Sequence, residues 1–100
     1  MLYMAVATHT PQTCPVAVPE VRGHLLEVAP RIRQVLEAHG VALQGAWASR
    51  AEHAIYFLVD APGAHQIEDA FIEMGFFQWN TITIRPVTPL EDLFASLRGS

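Results

Sequence analysis

The side chains best suited to chemistry in this sequence are one cysteine and two histidines that the fold can bring to it. Cys14 is the only cysteine, and His9 precedes it in a proline-rich stretch. His53 follows a short polar turn later in the chain. A thiolate with two imidazoles suits Zn, Cu or Ni, and three protein ligands leave one coordination position open. The pattern therefore predicts a metal site at His9, Cys14 and His53.

The same residues fit two other interpretations. In the first, Cys14 caps a loop and the two histidines lie on the surface without a ligand. In the second, Cys14 is a nucleophilic or redox-active thiol, because it comes shortly before a helix N-terminus, where the helix dipole favours the thiolate. The sequence holds no resolving cysteine for a redox pair and no clear triad of Cys, His and Asn.

A second set of residues predicts a pocket for a small molecule. An apolar cavity with a few polar groups is the usual make-up of a ligand site. The residues that would line it are Tyr3, His9, Trp47, Thr81 and Thr83. His9 would be the acid–base group, because imidazole titrates near neutral pH. The alternative is that Tyr3 and Trp47 belong to the core of a dimer.

The composition limits the class of protein. The chain has 100 residues, of which 51% are hydrophobic and only 16% are charged, and its net charge is −4. This length predicts one domain over residues 1–100, and the apolar content excludes disorder. A single cysteine excludes a disulfide scaffold. Ten acidic residues against six arginines and no lysine argue against nucleic acid as a partner.

The sequence also indicates a location. Its apolar runs have the length of strands and fall short of the roughly 20 residues that span a bilayer, so we expect no membrane partner. The N-terminus lacks the basic region of a signal peptide. Together with one unpaired cysteine, these features predict a reducing, cytoplasmic setting.

Hydrophobic periodicity predicts the elements that position these residues. Strands are expected over residues 2–8, 41–49, 53–60 and 79–87. Helices are expected from Pro19 to His39, from after Gly63 to about Met74, and over residues 90–97. Pro30 predicts a kink or a break in the first helix, because proline lacks the N–H that a helical hydrogen bond requires.

The order of these elements predicts the fold. The series β-α-β-β-α-β followed by a short C-terminal helix is the split βαβ, or ferredoxin-like, pattern. Right-handed crossovers then give an α+β fold with an antiparallel sheet of strand order 4-1-3-2 and both long helices on one face. Strand one ends beside the start of strand three. We therefore expect His9, the loop to Cys14, and His53 to meet at one end of the sheet.

Both faces of the predicted sheet are apolar. On strand three, Ile55, Phe57 and Val59 face one side, whereas Tyr56 and Leu58 face the other. An antiparallel sheet with helices on one face normally carries polar residues on the other, and a large exposed apolar patch usually marks an interface. We expect a homodimer with two-fold symmetry through the open sheet face. The alternative is that the tail helix folds over this face.

The arrangement resembles the dimeric α+β barrel superfamily. The resemblance lies in the order of elements, the two-sided sheet and the strand WNTITIRPV at 79–87, which precedes the acidic segment TPLED. That superfamily includes muconolactone isomerase, antibiotic-biosynthesis monooxygenases and small uncharacterised bacterial families, to which the chain is most similar. The resemblance implies a homodimer with a cavity between sheet and helices or inside the barrel, and it transfers no catalytic residue.

The function expected from these observations is that of a small homodimeric binding protein. Its transition-metal or small-ligand site would lie at the end of strand one. The alternative is a small-molecule enzyme of the monooxygenase or isomerase type that uses a cavity inside the α+β barrel. Fold alone does not decide between them, since one fold hosts many functions.

Overall fold

A computed structural model of the protein describes residues 1–99 and contains a four-stranded antiparallel sheet. Its strands are β1 (Leu2–Thr8), β2 (Ala42–Ser49), β3 (Ala54–Asp60) and β4 (Thr81–Pro86). The helices are α1 (Pro19–Val28), α2 (Ile32–Ala38), α3 (Ala64–Glu73) and α4 (Leu90–Arg98). The spatial order β2-β3-β1-β4 is the predicted 4-1-3-2 read from the other edge. The architecture is α+β and consistent with a ferredoxin-like fold.

The first predicted helix is broken, and the break lies where proline interrupts it. Ala29–Arg31 forms a 3-10 turn between α1 and α2, with Pro30 at its centre. The missing proline N–H removes one helical hydrogen bond, so a tighter turn replaces the α-helix there. Gly40 ends α2 with a φ of 77°, a left-handed conformation that glycine adopts without a steric penalty.

The hydrophobic core lies between the sheet and helices α1, α2 and α3. Strand residues that face the helices, such as Ala5, Phe57 and Val59, are buried in it. Phe57, Phe71 and Phe76 pack edge to face, with ring centroids 5.0–5.8 Å apart. Such pairs add stability beyond the apolar area they bury. This cluster fixes the end of the sheet at which β3 begins and the chain enters β4.

Three strands begin later than the sequence predicts: β2 begins at Ala42 instead of residue 41, and the shifts of β3 and β4 have a local cause. The expected strand 79–87 begins at Thr81, because Phe76–Gln78 forms a 3-10 turn and Trp79 and Asn80 follow it before the sheet. The expected strand 53–60 begins at Ala54, because His53 has a φ of 55°, which no β-strand accommodates. Both corrections concern residues beside the end of β1.

The second sheet face is not covered by the tail helix. Every residue of α4 is exposed, including the apolar stripe Leu90, Leu93, Phe94 and Leu97. The alternative in which this helix folds over the open face is therefore wrong for the isolated chain. The protein measures 53 × 30 × 18 Å and has a radius of gyration of 15.0 Å, against about 13 Å for a compact chain of this length.

None of the helices within residues 1–99 combines the length and the apolar character that crossing a bilayer requires.

Candidate metal centre

His9 and His53 lie side by side because β1 and β3 are antiparallel neighbours. Thr8 pairs with Ala54 at the last step of the ladder. The pairing continues one residue further, since the His9 N–H donates a hydrogen bond of 3.0 Å to the His53 carbonyl. The two imidazole centroids are 5.4 Å apart, with an angle of 80° between the ring planes. The strand register therefore brings both imidazoles to one end of the sheet.

His53 has an unusual backbone conformation. It is the one residue other than glycine with a positive φ within the described range 1–99, and its N–H donates to the Arg50 carbonyl at 3.3 Å. The left-handed region costs a residue with a Cβ about 1–2 kcal/mol. Such conformations concentrate at functional sites, where the surrounding structure maintains them. The turn after β2 thus holds His53 beside His9 at a conformational cost.

Cys14 reaches the same place through an ordered loop. The loop begins with a 3-10 turn, Pro11–Thr13. The Cys14 carbonyl accepts hydrogen bonds from the N–H groups of Ala17 and Val18 at 3.1 and 2.8 Å. The Arg22 guanidinium donates to the next two carbonyls along the loop, at 3.0 and 2.8 Å. These bonds direct Cys14 inward, and it is only 7% exposed.

The three side chains form the one group of at least three His, Cys, Asp or Glu residues with converging donor atoms in the described part of the chain. One donor atom from each of His9, Cys14 and His53 lies within 4.8 Å of the others. Tetrahedral zinc sites, with bonds of about 2.0–2.3 Å, place their ligand atoms about 3.3–3.7 Å apart. The donors therefore need to close by about 1 Å to hold such an ion, a movement within reach of side-chain rotation.

The histidines lack the hydrogen bonds that buried imidazoles normally make. Both ring nitrogens of His9 and Nδ1 of His53 are buried without a partner among the described residues. A buried polar atom left in this state costs about 1–3 kcal/mol, and native structures contain few. Burial lowers the pKa of His9 below its ordinary value of 6.5, and nearby His53 lowers it further, whereas the Asn80 side chain acts in the opposite direction. The neutral imidazole, which is the ligating form, is favoured.

Asn80 is a site residue that sequence reasoning did not single out. It is 8% exposed, and its side-chain amide donates to the Phe76 carbonyl at 3.1 Å. Its other polar atom, Oδ1, is buried without a conventional hydrogen bond. The Asn80 side chain raises the pKa of His9, as a nearby acceptor oxygen does, but the two side chains make no hydrogen bond in this structure. Histidines that bind metals usually donate their second N–H to such an acceptor, which orients the ring. The available signal was position, since Asn80 comes just before the strand beside β1.

Two cavities adjoin His9. One has a volume of about 390 Å³ and an almost wholly apolar wall, to which Cys14, Leu25 and Ile55 contribute. The other, of about 340 Å³, is more polar and is lined on its far side by Asn80 and Thr81 among others. His9 stands between them. His9 and Cys14 thus lie at the wall of an apolar cavity large enough for a small organic molecule.

The second set of predicted residues is distributed over both sheet faces. Tyr3 is buried in the core beneath the helices. Trp47 pairs with Tyr56 on the opposite face and is 56% exposed. Thr81 and Thr83 are exposed on β4, where they alternate with the core residues Ile82 and Ile84. Thr81 shares the polar cavity with His9, whereas Tyr3, Trp47 and Thr83 lie in three different surroundings.

Comparisons with family models and with curated proteins identify no relative of this chain. No protein-family model matches the chain, and no curated protein matches it. The resemblance to the dimeric α+β barrel superfamily therefore stays a prediction. Any functional assignment depends on the geometry of the residues themselves.

Proposed function

We propose that this protein binds one transition-metal ion per chain, Zn, Cu or Ni, through His9, Cys14 and His53. The observation that carries the proposal is the convergence of a buried thiol with imidazole nitrogens that are buried and unpartnered. An ion would bind one nitrogen of each ring, and the cost of leaving those two atoms unpaired would disappear. The lowered pKa of His9 supports it, because metals bind the neutral ring.

The donor set decides the chemistry of the ion. One soft thiolate and two borderline imidazoles favour zinc and the later first-row metals over Mg²⁺ or Ca²⁺. Three protein ligands leave a position for water or a small ligand, as in catalytic and sensory sites. Ligation by Cys14 requires a reduced thiol, so we infer that the protein works in a reducing compartment such as the cytoplasm.

Metal uptake tests the proposal directly. Purified reduced protein, dialysed separately against Zn, Cu and Ni, is expected to retain about one ion per chain by elemental analysis. Cys14→Ser is expected to lose the ion or bind it at least tenfold more weakly. His65→Ala is the matched control, because His65 is exposed on α3 and lies outside the cluster, and it should bind as the parent protein does. Failure to retain any of the three metals would refute the proposal.

We also propose that the chain forms a homodimer through the open sheet face. This face carries Tyr56 and Leu58, which are half-buried and flank the buried Val6, and Trp47, which is 56% exposed, extends it on β2. Helix α4 does not cover it. A second copy of the same face is self-complementary under two-fold symmetry, and it would remove from water an apolar surface of the kind that marks interfaces.

A charge placed on that face separates the dimer from a monomer. Leu58→Glu is expected to convert the protein to a monomer in light scattering coupled to gel filtration. Ile72→Glu is the control, because Ile72 is an exposed apolar residue on helix α3, away from the sheet, and it should remain dimeric. A parent protein that runs as a monomer at high micromolar concentration would contradict the proposal.

A further inference from the structure

The apolar cavity beside the metal group has the features of a ligand site. Its volume of about 390 Å³ falls in the range of about 300–1,000 Å³ that small-molecule sites occupy. His9 and Cys14 form part of its wall, so it opens directly on two of the three proposed metal ligands. Leu25, Ala54 and Ile55 supply much of the remaining surface. A molecule bound there would have one end at the metal and the rest against hydrocarbon.

The charged residues around this cavity are all positive. Arg22 and Arg50 line it, and no Asp or Glu is among its described lining residues. Hydrogen bonds to two loop carbonyls hold the Arg22 guanidinium in place, so its charge is fixed beside the cavity. A divalent ion with one thiolate and two neutral imidazoles adds a further net positive charge. The field around the cavity therefore favours an anionic group.

We propose that this cavity binds a monocarboxylate with an apolar tail of medium length. The carboxylate would occupy the open coordination position of the metal, where oxygen ligands bind at about 2.0–2.2 Å, and the tail would lie along Leu25 and Ile55. This inference rests on the proposed metal site and adds the class of its ligand. The apolar wall disfavours a multiply charged anion such as phosphate, because charge without partners is costly to bury.

Cobalt substitution gives a test with separate readouts for metal and ligand. Protein loaded with Co²⁺ should show visible absorption bands and a charge-transfer band from the Cys14 thiolate. Octanoate, acetate and octanol are then titrated into the loaded protein. Octanoate should shift the visible bands and bind at least tenfold more tightly than acetate, because each buried methylene adds affinity. Octanol, which lacks the anionic group, should leave the bands unchanged.

A pair of variants tests whether the tail occupies this cavity. Ala48 is exposed and lines the cavity, whereas Ala42 is an exposed alanine at the other end of the same strand. Ala48→Phe narrows the cavity and should weaken octanoate at least tenfold, with little effect on acetate. Ala42→Phe should bind both acids as the parent protein does. The cobalt bands recorded before titration show whether each variant has loaded.

The outcomes separate this inference from the proposal beneath it. Protein that never develops cobalt bands overturns both the metal centre and its ligand. Protein that develops the bands but binds octanoate no better than acetate, or responds equally to octanol, keeps the metal centre and overturns the ligand class. Octanoate that binds Ala48→Phe at full strength places the tail elsewhere and overturns the assignment of the cavity.

Discussion

Replacing His9 by phenylalanine should stabilise the metal-free protein and abolish its response to metal. Both ring nitrogens of His9 are buried without a hydrogen-bond partner in the described structure, and each such atom costs about 1–3 kcal/mol. Phenylalanine has a ring of similar shape and no polar atom, and the adjoining apolar cavity leaves room for its extra carbon. Because the variant also loses the interaction between Asn80 and the imidazole, we expect a net gain of about 1–3 kcal/mol in the free energy of unfolding, the cost of one such atom.

Metal should reverse this order of stability. An ion that binds only the folded state at a free concentration 1,000 times its Kd adds about 4.1 kcal/mol. The parent protein gains that amount, whereas His9→Phe, which lacks one of three ligands, gains little. Urea unfolding in a chelator should therefore find His9→Phe more stable than the parent protein. Urea unfolding in excess Zn²⁺ should find the parent protein more stable than the variant. In a thermal melt, each kcal/mol corresponds to roughly 4–8 °C in Tm for a domain of this size.

The control for this prediction is a substitution at a histidine outside the cluster. His65→Phe changes an exposed histidine and should alter stability by no more than about 0.5 kcal/mol in either condition. If His9→Phe is less stable than the parent protein in chelator, the buried His9 nitrogens do not lower the free energy of unfolding of the metal-free protein. The reasoning that links their burial to metal binding would then fail.

Three further predictions concern neighbouring features. Asn80→Ala should weaken metal binding about 10–100-fold through loss of the acceptor beside the imidazole, with Asn80→Asp recovering much of it in a competition assay with a coloured chelator. The hydrogen bond to Glu52 raises the pKa of Tyr56 above 10.0, so Glu52→Gln should lower the pH at which phenolate absorbance develops, and an unchanged titration would contradict the contact. Gly75→Ala should cost about 1–2 kcal/mol by chemical denaturation, because φ is 76° there. Gly23→Ala, in open space on α1, should instead gain up to about 1 kcal/mol.

Much of the fold follows from local rules. Alternation on β1 and β3 predicts which residues enter the core, and Pro30 predicts the break between α1 and α2 because its effect on a helix is local. The antiparallel pairing of strands one and three places His9 near His53 for the same reason. In these cases the relevant physics acts within a few residues or follows from the topology of the sheet.

The remaining details depend on distant contacts. The apolar alternation beginning at Trp79 predicts a strand there, yet Trp79 packs against His9 and Phe76. Asn80 donates to the Phe76 carbonyl, and these contacts hold both residues outside β4. Cys14 points inward because Arg22, from the following helix, donates hydrogen bonds to the next two carbonyls of the loop. The hydrophobic periodicity of the sequence does not predict such a bond. Tyr3 and Trp47 are both aromatic strand residues, and residue type alone would place them in one pocket. The strand register places them on opposite faces of the sheet.

The hydrogen bond between the His9 N–H and the His53 carbonyl continues the backbone pairing of β1 and β3, so the proposed metal site lies at the end of that ladder. An ion held by side chains on both sides of that bond would act as a reversible cross-link between segments far apart in the chain, and its binding free energy would add to the free energy of folding. Release of the ion and fraying of this end of the sheet would then share a first step. The rate of amide hydrogen exchange at His9 should consequently fall as metal occupancy rises. The end of the sheet nearest the cavity would be the first part of the sheet to open.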